Sequence, residues 1–154
     1  MDNPLPIGKQ GEIDRIRAAA LIIKDGRLLV AKNTGTPYYT IGGGVGKYET
    51  TEAAAIREVY EETGLKLEVD RLAFINESFF EFDGRKFHEI GFYYLMKDNP
   101  DINIPEGSFT DQPPFETLHW LPIDGLKDAD LVPPFLKEKA LGSITGIEHV
   151  ISWR

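Results

Sequence analysis

Two patterns of apolar residues alternate along this chain of 154 residues. Segments rich in β-branched and aromatic residues, which are typical of strands, lie on both sides of one segment with helical spacing. The stretch IRAAALIIKDGRLLVAKN predicts two strands around a tight turn at 24–26, and a second pair of strands flanks the hairpin signal Asp83–Gly84. Further strands are predicted in PYYTI, FETLHWLP and IEHVISWR.

The helical segment runs from Thr50 to Thr63. Thr50 or Thr51 is suited to the N-cap, and Gly64 suits the left-handed conformation that ends many helices. At about 100° per residue the segment has two distinct faces. The predicted core face carries Ala53, Ile56, Val59 and Tyr60, and the opposite face carries Glu58, Glu61 and Glu62 with Ala54 among them.

The remaining segments complete the predicted architecture. Residues 98–114 are proline-rich and polar and predict a long loop, and PPFLKEKAL predicts a second helix with proline in its first turn. Mixed strands with two helices indicate an α/β or α+β fold. We expect a single domain over residues 13–154, preceded by a flexible N-terminal arm over residues 1–12.

Composition narrows the class of protein only in part. The formal net charge of -8 argues against binding of duplex nucleic acid, although a bound cation could still reverse the sign of charge locally. No apolar run reaches the ~20 residues of a membrane span, and the first residues do not resemble a signal peptide. Because the chain has no cysteine, it has no disulfide framework, and the cytoplasm is the expected compartment.

The clustered glutamates of the helix are the strongest chemical signal. Exposed charge is the rule for an arbitrary helix, so a solvated polar face is the simplest interpretation. However, like charges three or four residues apart each cost about 0.2–0.5 kcal/mol, and no lysine lies among these glutamates. A glycine-rich turn at 42–44 precedes the helix. Carboxylates beside exposed backbone carbonyls are the ligands that Mg²⁺ or Mn²⁺ prefers.

The spacing from Gly43 to Leu65 resembles the Nudix box. Gly43 is followed after five residues by Glu49, and after seven more by the run REVYEETGL. Every defined position of the box is matched, and a strand pair before the box and a Trp-Leu-Pro run after it also resemble the family. The resemblance implies an α/β/α sandwich around a mixed β-sheet.

The resemblance also implies roles for individual residues of the box. Glu58, Glu61 and Glu62 correspond to the metal-binding and catalytic glutamates, and Glu58 is also a candidate for the base that activates water. Gly43, or its neighbour Gly42, corresponds to the position that offers a carbonyl to the metal. The structural positions of the box are Glu49, Arg57 and Gly64. The chain departs from common family members at Ile41, Gly46 and Tyr48, none of which is a defined box position.

Family enzymes often use one more carboxylate from a distant loop. Glu116 is the first choice because it lies shortly before Trp120, and Glu89 and Glu106 are the alternatives. Basic residues that could reach phosphate include Arg17, Arg27 and Lys32, although each is individually more typical of a solvated surface.

The resemblance implies a Mg²⁺-dependent hydrolase, with Mn²⁺ as a possible substitute, that cleaves a diphosphate bond between a nucleoside and another group X. The expected substrate is a small phosphorylated molecule such as a nucleoside triphosphate or a nucleotide sugar. We expect neither a duplex nucleic acid nor a membrane as partner, and family precedent favours a homodimer. Two alternatives stay open: a Nudix-fold sensor that binds a nucleotide or ADP-ribose without turnover, and a metal-binding domain without phosphate chemistry.

Overall fold

The computed structural model describes residues 12–154. The predicted N-terminal arm therefore lies outside the described residues, apart from Glu12, which begins the first strand. Within the described range there are nine strands and one α-helix, α1, at Thr51–Thr63. The strands β1 to β9 are Glu12–Leu21, Ile23–Lys24, Arg27–Lys32, Tyr38–Gly44, Val69–Phe82, Arg85–Met96, Thr117–Pro122, Leu131–Val132 and Glu148–Trp153.

The strands form one mixed sheet in the order β2-β3-β4-β1-β6-β5-β9, with β7 on β3 and β8 on β4. Strand β1 is antiparallel to β4 and parallel to β6, so the first strand lies at the centre of the sheet. The long hairpin β5–β6 turns at Asp83 and Gly84, both of which have positive φ. The sequence-based prediction of this hairpin is confirmed, as is the α/β class with a mixed sheet.

The two faces of the sheet bury separate hydrophobic clusters. Alternate residues of β1 show this division, because Ala18 and Ala20 pack toward α1 whereas Ala19 and Leu21 pack on the other side. The second face is covered in part by Phe135 and Leu136 from a short 3₁₀ helix. The predicted three-layer arrangement is therefore present, but its second outer layer consists of 3₁₀ helices at Ile123–Asp128, Pro134–Glu138 and Leu141–Ser143.

The sequence-based prediction of the core face of α1 was wrong for two residues. Ala53 and Tyr60 are exposed, whereas the helix buries Ala54, Ala55, Val59 and Glu62. The small side chains of the two buried alanines allow the helix to lie close to the sheet. This orientation turns the glutamates toward strand β4 rather than toward solvent.

Two other segments differ from the sequence-based prediction. The expected C-terminal α-helix is only the five-residue 3₁₀ helix Pro134–Glu138, since a single amphipathic turn held by Phe135 and Leu136 suffices to cover this face. Strand β4 continues through the glycines to Gly44, because these residues pair with β1. Among residues 12–154, no helix is long and apolar enough to cross a membrane.

Candidate active site

Both ends of α1 are held by local interactions that its sequence encodes. The Thr50 hydroxyl accepts a hydrogen bond from the amide of Ala53 at 3.0 Å, as expected of an N-cap. At the other end, Gly64 adopts φ 76° and its amide donates to the carbonyl of Tyr60 at 2.8 Å. These caps determine where the helix begins and ends, and therefore how its glutamates are presented.

Arg57 forms the centre of the charge network on α1. Its Nε and Nη2 bind both carboxylate oxygens of Glu49, at 2.8 and 2.9 Å. Its Nη1 lies 2.9 Å from Glu58 Oε1 and 3.0 Å from Glu61 Oε1, and Nη2 also donates to the carbonyl of Gly44. The two-pronged hydrogen bond from Arg57 lowers the pKa of Glu49. Arg57 thus supplies the positive charge that offsets repulsion between Glu58 and Glu61.

Glu62 lies in a different environment from the other two glutamates. Its side chain is buried, and its Oε2 accepts a hydrogen bond from the amide of Gly42 at 3.0 Å. Burial, together with the neighbouring charge of Glu58, raises the pKa of Glu62 to about 8. Burial also raises the pKa of Glu58, although Arg57 opposes the shift. Two adjacent carboxylates are therefore held where their charged forms are disfavoured.

The glycine strand allows these carboxylates to approach the backbone. A Cβ on Gly43 would lie 2.3 Å from Glu58 Oε1, so a side chain at this position would collide with the carboxylate. Gly42 has φ 155°, and a Cβ there would lie 2.3 Å from the carbonyl oxygen of Ala18. The absence of side chains thus permits close contact of β4 with α1 at Gly43 and with β1 at Gly42.

The donor set is chemically suited to a hard divalent cation. One helix supplies three carboxylates, and two of them, Glu58 and Glu62, lie beside glycine backbone, which matches the oxygen ligands that Mg²⁺ prefers. As the side chains stand, residues 12–154 contain no group of three His, Cys, Asp or Glu placed to hold a metal ion. Arg57 occupies oxygens of Glu58 and Glu61. Cation binding would require these two side chains to exchange Arg57 for the ion.

The long loop 98–114 packs against the C-terminal end of α1. The amides of Asp111 and Gln112 donate to the carbonyls of Glu62 and Glu61, at 2.9 and 3.0 Å. These carbonyls belong to the last helical turn, which contains no basic side chain. The loop therefore supplies the donors for the helix end and carries the following residues, including Glu116, to the same side of the molecule.

The three candidates for an additional carboxylate have different surroundings. Glu116 is half-buried, its pKa is raised by burial, and the charge of Arg17 acts on it. Glu106 binds the His119 ring and the amide of Trp120; burial alone would raise its pKa, but these hydrogen bonds lower it. Glu89 is buried in a salt bridge with Arg15. Among the three, Glu116 is the one without a hydrogen-bonded side-chain partner in the part of the chain that the structure describes.

The three basic residues that were candidates for phosphate binding lie in different parts of the structure. Arg17 donates to the carbonyl of Thr40 at 2.9 Å, and its charge interacts with Glu58, Glu62 and Glu89. Arg27 lies at the β2–β3 turn beside a different cavity, and Lys32 lies over the ring of Tyr38. The structure therefore brings Arg17, and neither of the other two, to the carboxylate site.

Sequence reasoning missed two arginines near Arg17. Arg15 precedes it by two positions on β1 and so points to the same face of the sheet, which strand periodicity could have indicated. Arg154 comes from the far end of the chain, and it lies over the ring of Phe80 with its Cζ 4.2 Å from the centroid. No local pattern could have placed Arg154 here, because β9 reaches the site by pairing with β5.

One departure from the Nudix pattern has a visible consequence in the loop before α1. Tyr48 adopts φ 61° and is fully exposed, although non-glycine residues rarely take this conformation. The turn is closed by a hydrogen bond from the amide of Gly46 to Glu49 Oε1 at 2.9 Å. The same carboxylate binds Arg57, so the unusual turn leaves the charge network of α1 intact.

Comparison with known proteins agrees with these features. A family model described as NUDIX domain matches residues 14–139. A MutT-like protein from Streptomyces ambofaciens is 41% identical over 56 residues, and the match covers 36% of this chain and 36% of that protein. An RNA pyrophosphohydrolase from Roseobacter denitrificans is 29% identical over 120 residues, which cover 69% of this chain and 71% of that protein.

The fold is also similar to that of solved structures. A MutT protein from Bacillus halodurans superposes with a TM-score of 0.66 at 18% sequence identity. The superposition covers 87% of this chain and 88% of that one. At this level of identity the likeness concerns the fold, and it confirms the predicted sandwich architecture.

Proposed function

The chain belongs to the Nudix family, and from this membership we propose that it hydrolyses a diphosphate bond in a Mg²⁺-dependent reaction. The proposed substrate is a nucleoside diphosphate joined to another group X, such as a nucleoside triphosphate or a nucleotide sugar. A relative that is 29% identical is named an RNA pyrophosphohydrolase, and this name supports cleavage of a pyrophosphate bond.

The observation that carries the proposal is a pair of carboxylates on α1, of which Glu62 is buried and Glu58 is partly buried. Glu58 and Glu62 are held beside the glycines of β4, and burial raises the pKa of each. Desolvated carboxylates of like charge are costly unless an opposite charge is supplied. Arg57 contacts Glu58 but makes no hydrogen bond to Glu62 among the described residues. A divalent cation would remove this cost.

Each residue of the site then has a definite role. Glu58, Glu61 and Glu62 would hold the cation, with the carbonyl of Gly43 or Gly42 as a further oxygen ligand. A bound divalent ion neutralises charge on the phosphate oxygens and lowers the pKa of an attacking water. Arg57 keeps its two-pronged hydrogen bond to Glu49 and so holds the loop before α1 against the helix.

We assign the additional carboxylate to Glu116. It follows the loop that packs on the end of α1, and the charge of Arg17 acts on it as well as on Glu58 and Glu62. Its pKa is raised by burial, which is suited to a group that accepts a proton from water. Glu106 and Glu89 are less suited, because both are already bound to other side chains.

The experiment is a screen of nucleoside diphosphate derivatives with Mg²⁺ or Mn²⁺, on the wild type and on Glu61→Gln. We expect turnover by the wild type and a loss of roughly 100-fold in kcat for the variant, because one charged ligand is removed from the site. Glu52→Gln is the matched control, since Glu52 is an exposed glutamate in the first turn of the same helix.

Two results would contradict the proposal. Undiminished turnover by Glu61→Gln would show that this carboxylate does not serve the reaction. Tight nucleotide binding by the wild type without turnover of any substrate would favour a sensor instead of an enzyme.

A further inference from the structure

A cavity of about 400 Å³ opens on the side of the sheet opposite α1. Its wall includes Arg15, Arg17, Phe80, Phe82, Glu89 and Arg154. Arg17 lines the cavity and pairs with Gly44 of β4, next to the glycine that Glu58 contacts, and its charge acts on Glu58 and Glu62. A group attached to a diphosphate held at the carboxylates could therefore extend into this space.

The charge of the cavity is opposite to that of the whole chain. The chain has a formal net charge of -8, whereas three arginines and two glutamates, Glu81 and Glu89, line this cavity, so its cations outnumber its anions by one. Arg15 is paired with the buried Glu89. Within residues 12–154, no carboxylate lies within salt-bridge distance of Arg17 or Arg154. These two guanidinium groups thus feel the charge of Glu89 but form no salt bridge among the described residues, and a bound anion would provide one.

Arg154 is held in place by its neighbours. Its amide donates to the carbonyl of Phe79 at 2.9 Å, and its Nη2 lies 3.4 Å from the Ser78 hydroxyl. Its guanidinium covers one face of the Phe80 ring. A planar guanidinium packed on an aromatic ring keeps its N–H donors directed outward around its edge. The side chain is therefore oriented before any ligand arrives.

The same packing argues against stacking of a base on Phe80. The Phe87 ring is parallel to Phe80, with an interplanar angle of 7° and 4.7 Å between centroids. Phe87 lies on β6 and Arg154 directly follows β9, and these two strands flank β5 on opposite sides. Both faces of the Phe80 ring are therefore covered. The Phe80 ring therefore supports Arg154 and does not stack on a ligand. The groups of the wall that can bind a ligand are the guanidinium groups.

We propose that the group X of the substrate carries an additional anionic substituent, such as a phosphate, that binds the guanidinium of Arg154. Arg17, nearest to the carboxylates, would serve the diphosphate that is cleaved. This inference rests on the proposed hydrolase function and restricts its substrates to diphosphates with an extra negative group. The additional phosphate belongs either to a small nucleotide or to the next phosphodiester of an oligonucleotide.

Binding of paired probes tests the inference without turnover. In the first set, a nucleoside 5′-monophosphate is compared with the 3′,5′-bisphosphate of the same nucleoside, and one such pair is used for each common base. The second pair is ribose 5-phosphate with ribose 1,5-bisphosphate. Affinities are measured by calorimetry in the presence of Mg²⁺, on wild type, Arg154→Gln and Lys97→Gln. Lys97 is the matched control because it is an exposed cation just after the other end of β6 and does not line this cavity.

We expect the bisphosphate of at least one pair to bind the wild type about tenfold more tightly than its monophosphate, the effect of one charge-assisted hydrogen bond. Arg154→Gln should reduce this preference to less than twofold, and Lys97→Gln should retain it. Arg154→Lys should give an intermediate preference, since it keeps the charge but loses the planar fork. Thermal unfolding of each variant checks that it is folded.

The outcomes separate this inference from the proposed function. Equal affinity within every pair, or a preference that persists in Arg154→Gln, overturns the inference even if the wild type hydrolyses diphosphates. A preference that depends on Arg154 supports the anion site even if the screen finds no turnover, which would instead contradict the hydrolase proposal. A 5′-phosphorylated dinucleotide that binds as tightly as the bisphosphate would identify an oligonucleotide as the source of the phosphate; weaker binding would identify a small nucleotide.

Discussion

The carboxylate of Glu62 is buried without full compensation for its lost hydration. Its side chain is buried, and the hydrogen bond from the Gly42 amide only partly compensates for lost hydration. Arg57 relieves Glu58 and Glu61 of part of their repulsion, but it leaves Glu62 beside the charge of Glu58. In the metal-free protein, the unfavourable electrostatic energy of the site is therefore concentrated in Glu62.

Glu62→Gln should change the pH dependence of metal-free stability. Burial raises the pKa of Glu62 to about 8 from an ordinary value of 4.5, so between these values the native state retains a proton that the unfolded chain has released. This contribution to the free energy of unfolding is complete below about pH 4.5 and is lost as the pH rises toward 8. Relative to the wild type, Glu62→Gln should therefore gain stability from pH 5 to pH 8.5.

Urea unfolding with EDTA, at both pH values, measures this difference. The exposed Glu52 provides the matched control, and Glu52→Gln should follow the wild type at both pH values. A stability difference between Glu62→Gln and the wild type that does not change with pH would show that Glu62 ionises normally in the native protein.

At the scale of elements, the site depends on contact between α1 and the loop 98–114. The loop amides at 111 and 112 satisfy two carbonyls of the last helical turn. The turn that presents these amides is organised by the buried Thr110. The Thr110 hydroxyl lies 3.1 Å from the carbonyl of Gln112 and 3.2 Å from that of Pro114, and it accepts from the amide of Glu116 at 3.1 Å.

Thr110→Val should loosen this loop while preserving the shape of the side chain. It leaves the partly buried amide of Glu116 without its acceptor, which should cost roughly 1 kcal/mol of stability. We also expect faster hydrogen exchange at the amides of Asp111 and Gln112, because the turn that orients them is weakened. Thr110→Ser keeps the hydroxyl and should behave like the wild type in exchange. Unchanged exchange in Thr110→Val would exclude a role for this hydroxyl in holding the loop.

At the scale of the whole molecule, charge is unevenly distributed. The chain is acidic overall, α1 carries the three carboxylates together with Arg57, and three further arginines line the cavity on the opposite face of the sheet. A bound cation and an anionic substrate would each complement one of these regions. Binding at the carboxylates should therefore be linked to folding of the entire chain.

Addition of Mg²⁺ should stabilise the wild type against thermal unfolding. A ligand that binds only the native state contributes about 2.7 kcal/mol at a hundredfold excess over its Kd, which corresponds to several degrees in Tm. Glu58→Gln should lose most of this shift, whereas Glu52→Gln should retain it. Scanning calorimetry with Mg²⁺, against NaCl of equal ionic strength, makes the comparison. An equal Mg²⁺-dependent shift in Glu58→Gln would place the ion elsewhere.

Local signals in the sequence predicted much of the fold. The β5–β6 hairpin follows from the conformations that Asp83 and Gly84 adopt, and the bounds of α1 follow from Thr50 and Gly64. Helical periodicity was less informative about orientation. Periodicity grouped the three glutamates correctly, but it predicted that Ala53 and Tyr60 are buried, and both are exposed. The spacing of residues along a helix does not show which side of the helix packs on the sheet.

The sequence by itself determined the box: its glycine, its glutamates and Arg57 lie within one short stretch of chain, where spacing alone decides which residues meet. Tertiary structure decided which residues surround that stretch. Pairing of β9 with β5 brings Arg154 to the cavity, and docking of the loop brings Glu116 toward α1. These contacts join residues far apart in sequence, so their geometry depends on strand order and packing, which no local pattern encodes.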